Sequence, residues 1–257
     1  MNDELLLRYL RLYCYAPSLG YWRSFEAERI RGLRLEEPIL DLGVGDGSFC
    51  HSLGLQARVT GIDISRRALR RMRRFWPVER VAQASACQLP FADGSFKTVL
   101  SNCVLEHIPA IGVALDEMCR VLAVDGAAVI SVPGEMADRW GEGRRGFGRY
   151  RARVGHRNVW TADQWARELA RRGLRSETVS PYMSRAEYDR FLDLDMLLNR
   201  PLAGRLLSGA MLAAGLSGLR GPLARRLAKR LSPERAIAPS PEGAGLFIVA
   251  RKGRSAV

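Results

Sequence analysis

The chain has 257 residues, of which 47% are hydrophobic and 26% charged. That balance supports one buried α/β core with length left for an insertion, and it excludes disordered, collagen-like and disulfide-rich classes. The formal net charge of +13 favours acidic partners: nucleic acid, anionic lipid or a phosphorylated substrate.

Residues 4–33 read as helical, with Leu5, Leu6, Tyr9, Leu10, Leu12 and Tyr13 on one apolar stripe and a turn at Pro17 to Gly20. An N-terminal helical cover over 1–36 is therefore expected ahead of a core over 37–180. The core opens with Ile39 to Leu42, a short buried strand that ends in Gly43-Val44-Gly45-Asp46-Gly47 and passes into a helix through Leu53. A second strand, Arg58 to Ile62, ends at Asp63. The next helix turns Ala68, Leu69, Met72, Phe75 and Trp76 inward. Its arginines, from Arg66 to Arg74, read as a solvated outer face, because no aromatic residues interleave with them as a nucleic-acid stripe requires.

Further strands are predicted at Val81 to Ala84, Phe96 to Ser101, Ala127 to Val132 and Leu174 to Ser180. Helices fall at Ile111 to Leu122 and at Ala162 to Arg172, the second with Thr161 as N-cap and Gly173 as C-cap. Arg144 to Arg157 reads as a basic loop. An insertion over 181–243 precedes the apolar run Gly245 to Ala250, a buried return strand within 244–257. Strands alternating with helices imply a single doubly wound, Rossmann-like domain: a seven-stranded, mainly parallel sheet covered on both faces.

The insertion carries no acidic residue from Arg200 to Ser232. Its uncharged run Leu206 to Leu219 is shorter than the roughly 20 residues that span a bilayer. Two readings stand: a buried helical cap over an acceptor pocket, or an in-plane contact in which Arg225, Arg226, Lys229 and Arg230 meet anionic headgroups. The five cysteines, Cys14, Cys50, Cys87, Cys103 and Cys119, form no CxxC pair, so no metal site and no disulfide framework is expected. The first residues lack the basic start and apolar stretch of a secretory signal. A cytoplasmic location is expected, with the membrane periphery as its alternative.

In a sheet of this kind the ligand lies beyond the carboxyl ends of the strands, where strand order reverses. Gly43, Gly45 and Gly47 let the backbone turn sharply there and approach a ligand closely. A dinucleotide fingerprint would place its third glycine at position 48, which is Ser48. Asp41 is badly placed beside a pyrophosphate and well placed beside an ammonium group, which favours a ligand with a cationic amino-acid end.

Three stretches then resemble the class I S-adenosylmethionine-dependent methyltransferases, in particular the small-molecule group called type 11. They are Ile-Leu-Asp-Leu-Gly-Val-Gly-Asp-Gly (39–47), Gly-Ile-Asp-Ile-Ser (61–65), and Leu-Pro-Phe-Ala-Asp-Gly-Ser-Phe (89–96) continuing to Val-Leu-Glu-His-Ile-Pro (104–109). The resemblance implies S-adenosylmethionine as cofactor, with Asp41, Gly43, Val44, Gly45 and Gly47 around its methionine part. It implies Asp63 and Ile64 at the ribose end, with Asp63 accepting both hydroxyls. Ser85 and Ala86 fall beside the adenine, where the family usually has Asp-Ala, and Ser101 and Asn102 end the fourth strand facing the cofactor. Lys97 replaces the aspartate that usually follows Phe96, which puts the anchoring of that loop in question.

Histidine is the side chain suited to take a proton from an acceptor near neutral pH. The strand-end argument places His107 near the transferred methyl, and His156 lies in a segment, Gly155 to Thr161, similar to one that borders the acceptor pocket in type 11 enzymes. His51 reads as structural, and Glu106 as either a packed turn residue or a catalytic one. The expected activity is methyl transfer to a small-molecule acceptor, lipophilic or linked to lipid or glycan. A non-catalytic cofactor-binding sensor or partner subunit is the alternative. An RNA methyltransferase is weaker, because Ser101-Asn102-Cys103-Val104 stands where adenine-amino enzymes carry Asn/Asp-Pro-Pro-Tyr; nucleic acid is not an expected partner.

Overall fold

The computed structural model describes residues 3–55, 58–76, 78, 80–200, 209, 220–231 and 241–253. Its strands grow from short apolar runs bounded by turns: β1 (Ile39–Leu42), β2 (Val59–Asp63), β3 (Arg80–Gln83), β4 (Phe96–Asn102), β5 (Leu122–Pro133), β6 (Leu174–Tyr182) and β7 (Gly245–Lys252). They form one seven-stranded sheet in the order β3-β2-β1-β4-β5-β7-β6. The pairs β3·β2, β2·β1, β1·β4 and β4·β5 are parallel, while β5·β7 is antiparallel. This is the Rossmann-like, mainly parallel sheet expected from the alternation of elements. β1 pairs with both β2 and β4, so strand order reverses between β1 and β4, and Leu42 lies level with Ser101. The crevice beyond those two strand ends is where such a sheet binds a ligand.

The chain divides into two compact units. One contains Leu33–Glu135, Gly155–Pro181 and Gly245–Val257. It holds the sheet with α3 (Ser48–Ser52), α4 (Arg66–Phe75), α5 (Ile111–Val121) and α8 (Ala162–Ala170). Its core is made by Leu40, Leu42, Val99, Ile130, Val132 and Ile248 of the sheet with Leu115, Met118, Val121, Trp165 and Leu169 of α5 and α8. α8 begins with a capping box on the N-cap read from the sequence: Thr161 accepts from the Gln164 backbone, and the Gln164 side chain accepts from Thr161 N. Arg66, Arg67, Arg70, Arg71, Arg73 and Arg74 of α4 are exposed and Met72 is buried, as the amphipathic pattern predicts.

The other unit contains Met1–Gly32, Met136–Val154 and Tyr182–Ala244. Within it lie α1 (Asp3–Leu12), α2 (Pro17–Arg31), α7 (Phe147–Val154), α9 (Arg185–Leu198) and α10 (Arg220–Leu231), and α6 (Glu135–Gly141) enters it. Pro17 is not in a turn as expected but at the start of α2, where proline's missing N–H costs nothing. The predicted basic loop 144–157 contains a helix, α7, whose Phe147 and Tyr150 are buried; two aromatics one turn apart make the apolar stripe that the surrounding arginines obscure. Trp22 packs edge-on or tilted against Tyr182, Tyr188 and Phe191, with ring centroids 5.1–6.4 Å away. Glu26, fully buried, accepts from Trp22 Nε1 at 2.7 Å, Arg23 Nη1 at 2.7 Å and the Tyr182 hydroxyl at 3.1 Å. α9 is tied in by carboxylates: Arg144 reaches Asp189 and Asp193, while Asp195 accepts from Arg153 and, at 2.9 Å, from Ser18. The run Leu206 to Leu219, apart from Gly209, lies outside the described residues, as do Arg205 and the side chains of Arg220 and Phe75.

Candidate active site

Three glycines follow β1, all with positive φ: 83° at Gly43, 59° at Gly45 and 74° at Gly47. They are glycine for different reasons. A Cβ on Gly43 would come within 2.4 Å of Val104, and one on Gly47 within 2.6 Å of Met72 and of the Trp76 carbonyl, so these two make room for protein. A Cβ on Gly45 would meet nothing nearer than the Gly43 carbonyl at 4.0 Å; it would fill open space at the strand end. Val44 is buried, packed over Gly61 of β2, and the N–H groups of Gly43 and Val44 both donate to the Ile62 carbonyl at 2.8 Å. That shared acceptor locks the turn onto β2.

Asp63 completes the cradle from the end of β2. One of its oxygens accepts from Gly45 N at 2.9 Å and the other from Ser65 N at 2.7 Å. A carboxylate has about four lone-pair sites, so accepting capacity remains on both oxygens. Ser65, not Asp63, caps α4, accepting from Ala68 N; the competing reading of Asp63 as the cap does not hold. Ile64 beside it is 72% exposed, an apolar surface large enough to lie against a purine face. Asp41 is buried within β1, level with Gly61 and Leu100. Burial, and then the nearby Asp41 charge, push the Cys50 thiol well above its usual range, so Cys50 is an inert packing residue.

Past β3, Ser85 accepts from Cys87 N at 3.1 Å and bridges to Gln88, with Ala86 half-buried in the same turn. The loop that follows is held from α5. Arg120 donates to the carbonyls of Leu89 and Phe91 and to the carboxylates of Asp93 and Glu117. Glu117 accepts from Leu89 N at 2.6 Å, and its carboxyl is held below the usual value chiefly by the bond from Arg120. Lys97, whose departure from the family pattern put this loop in question, donates to the Val124 carbonyl at 3.3 Å. The anchor is the Glu117–Arg120 pair, which sequence reasoning missed although one helical turn of separation was legible.

At the end of β4, Ser101 and Asn102 are buried, and the Ser101 hydroxyl has no hydrogen-bond partner among the described residues. The chain then turns through Cys103, at φ 52°, into a 3-10 turn over Leu105–His107. The segment carrying His156 is stitched to that turn. Arg157 N and Asn158 N donate to the Glu106 carbonyl at 2.7 and 3.2 Å, and Asn158 Nδ2 donates to the carbonyls of Leu105 and Ile108 at 2.9 and 2.8 Å. Asn158 is buried and was not singled out; its partners lie too far away in the chain to be read from spacing. The stitching sets the His107 and His156 rings 5.0 Å apart and places Glu106 Oε1 3.8 Å from His107 Nε2. Burial, reinforced by His107, lowers the His156 pKa to about 4, so that imidazole is neutral at pH 7. His51 packs tilted against Trp76, with ring centroids 4.3 Å apart, in keeping with its structural reading.

A family model described as a methyltransferase domain matches residues 40–130, from β1 to β5. Over these residues the chain is similar to the class I methyltransferase domains of the type 11 group. The chain is 32% identical over 117 residues to a malonyl-[acyl-carrier protein] O-methyltransferase from Legionella pneumophila, covering 42% of this chain and 40% of that protein. It is 33% identical over 98 residues to a phosphatidylethanolamine N-methyltransferase from Cereibacter sphaeroides, covering 36% and 48%. The match thus spans about half the length of such relatives or less. A solved structure from Thermotoga maritima, a SAM-dependent methyltransferase described as a histamine N-methyltransferase candidate, matches the fold with TM-score 0.59 at 18% identity, over 95% of this chain and 93% of that one.

The cofactor that the domain implies is S-adenosylmethionine, and the residues present fit it. Open space at Gly45 adjoins a carboxylate with accepting capacity to spare, and the exposed face of Ile64 lies next along the chain.

Proposed function

We propose that this chain transfers a methyl group from S-adenosylmethionine to a small-molecule acceptor, lipophilic or linked to lipid or glycan. The observation that carries the reading is the pairing of Gly45, the one glycine of the turn that opens on unfilled space, with the Asp63 carboxylate bonded to its N–H at 2.9 Å. When bound, the cofactor supplies a methyl on a sulfonium, open to in-line displacement by an acceptor lone pair. The chain's own task is then positional: most of the acceleration can come from holding two partners at near-attack distance away from water. Asp63 takes the ribose hydroxyls, Ile64 lies against the adenine, and the Ser85–Ala86 turn borders it. Asp41, Val44, Ser101 and Asn102 support the methionine end. His107 and His156 line the acceptor side, beyond the end of β4.

The acceptor class is supported by the relatives, one named for a phospholipid and one for an acyl-carrier substrate, and by the basic, apolar composition of residues 200–232. The test is transfer from labelled cofactor to cell lipid and metabolite extracts, read by mass spectrometry, with calorimetry of cofactor binding alongside. Asp63→Ala should weaken binding of both the cofactor and its demethylated product, each lost charge-assisted bond costing on the order of 1.5–3 kcal/mol. Unchanged affinity in that variant removes Asp63 from the site. Binding without transfer to any extract would favour the sensor or partner-subunit reading.

A further inference from the structure

We propose that Glu106, His107 and His156 form a site for one divalent first-row transition-metal ion, with coordination positions left open to water or to an oxygen-bearing ligand. Such binding stands apart from methyl transfer, since it needs no cofactor. Composition and cysteine spacing led to the expectation of no metal, because spacing rules detect ligands close in sequence. Here the ligands come from two distant segments that only the fold brings together.

Two imidazoles and one carboxylate are the donor set that holds zinc in enzymes using a pair of histidines with a glutamate, and iron(II) in facial triads, with positions left free for further ligands. One ligand atom from each of the three residues lies within 4.8 Å of the others, and His107 Nε2 is 3.8 Å from Glu106 Oε1. Donors at roughly 2.0–2.2 Å from a shared ion sit about 3.3–3.6 Å apart in a tetrahedral site, so closing on an ion takes a shift of up to about an ångström. The His107 side chain, 45% exposed, can supply that by rotating. The two rings are inclined at 60° with centroids 5.0 Å apart, so their planes converge rather than stack.

Electrostatics favour a cation at the same point. The Glu106 side chain is 0% exposed, and a carboxylate withdrawn from water is stabilised by an adjacent positive charge. The ligand-bearing segments are also preorganised. Hydrogen bonds from Arg157 N, Asn158 N and Asn158 Nδ2 fix the two backbones against each other, and such supporting contacts are what hold ligand geometry at metal sites. Imidazole donors select first-row transition ions over magnesium and calcium, which take oxygen. The site lies beside the glycine turn, since Val104, two residues before Glu106, packs directly against Gly43.

The test uses the full chain without an affinity tag, stripped with chelator and titrated in the absence of cofactor with Co2+, followed by visible absorption, and with Zn2+, followed by calorimetry. One saturable equivalent of each is expected, with Zn2+ displacing Co2+ and Mg2+ ineffective. His107→Gln and His156→Gln should each weaken binding by at least about tenfold, with far-UV circular dichroism and thermal unfolding confirming that each variant folds. On the unmodified chain, Zn2+ should protect His107 and His156 from diethyl pyrocarbonate while leaving the reactivity of His51 unchanged. Absence of saturable binding at millimolar metal overturns the proposal, as does binding unmoved by both substitutions or modification of His107 and His156 that Zn2+ does not slow.

Discussion

At the residue scale, the glycine turn separates two demands that the sequence presents as one. Gly43 and Gly45 share positive φ, so alanine at either costs roughly 1–2 kcal/mol in backbone strain. Gly43→Ala adds a methyl at 2.4 Å from Val104, and overpacking of that kind costs about 1–3 kcal/mol more. We expect Gly43→Ala to lower stability well beyond Gly45→Ala in denaturant unfolding, with Val104→Ala recovering part of the loss. Gly45→Ala should leave most stability intact and weaken the cofactor, because its methyl enters the space that the ligand needs. If the two variants lose stability equally, or if Gly45→Ala binds cofactor as the wild type does, the division of roles is wrong.

At the scale of elements, α5 anchors the loop that leads into β4. Glu117 is held ionised mainly by Arg120, with the Leu89 N–H as a further donor, and Asp93 shares the same guanidinium. Its folded pKa lies below the unfolded one. The group therefore contributes stability at pH above its ordinary value of 4.5, and that contribution is lost as pH falls through the lower, folded value. Thermal unfolding between about pH 6 and pH 3 should show a smaller acid-induced loss in Glu117→Gln than in the wild type. Equal losses would mean that the pair is too solvated to matter. The pair also explains how the loop tolerates Lys97: its backbone is fixed from α5, so position 97 needs only an amine that meets a carbonyl.

At the scale of the whole molecule, the insertion is not an appendage. Tyr182, Tyr188 and Phe191 pack on Trp22, Tyr182 bonds to Glu26, and α9 holds Ser18 through Asp195, so this segment completes the unit begun by the N-terminal helices. Removing residues 181–243 would strip the partners from α2 and expose its aromatic face; surface variants are the informative ones. α10 buries Ala224, Ala228 and Leu231 and exposes Arg225, Arg226, Lys229 and Arg230, and no helix among the described residues is long and apolar enough to cross a membrane. Co-sedimentation with vesicles containing phosphatidylserine should be reduced by salt and by the paired change Arg225→Glu and Arg226→Glu, on the order of 1 kcal/mol per basic residue at an anionic surface. Vesicle binding that ignores both salt and charge reversal would remove these basic residues from the contact, and failure to bind either vesicles or apolar acceptors would place the acceptor among soluble polar molecules.

By itself the sequence determined the strands of a mainly parallel sheet and the glycine turn after the first of them, because these depend on local signals: short apolar runs, closely spaced glycines, and one acid in or at the end of each of the first two strands. It also held the amphipathic faces of α4 and the N-cap of α8. It could not show why Gly43 and Gly45 differ, since that depends on Val104, which reaches the turn only through the pairing of β1 with β4. Nor could it show α7, whose aromatic stripe is diluted by arginine, or the buried Glu26 that α2 shares with Tyr182. The meeting of His107, His156 and Glu106 was decided by tertiary structure alone. It depends on bonds from Arg157 and Asn158 to a distant turn, and hydrogen bonds between segments far apart in the chain leave no periodic trace in the order of residues.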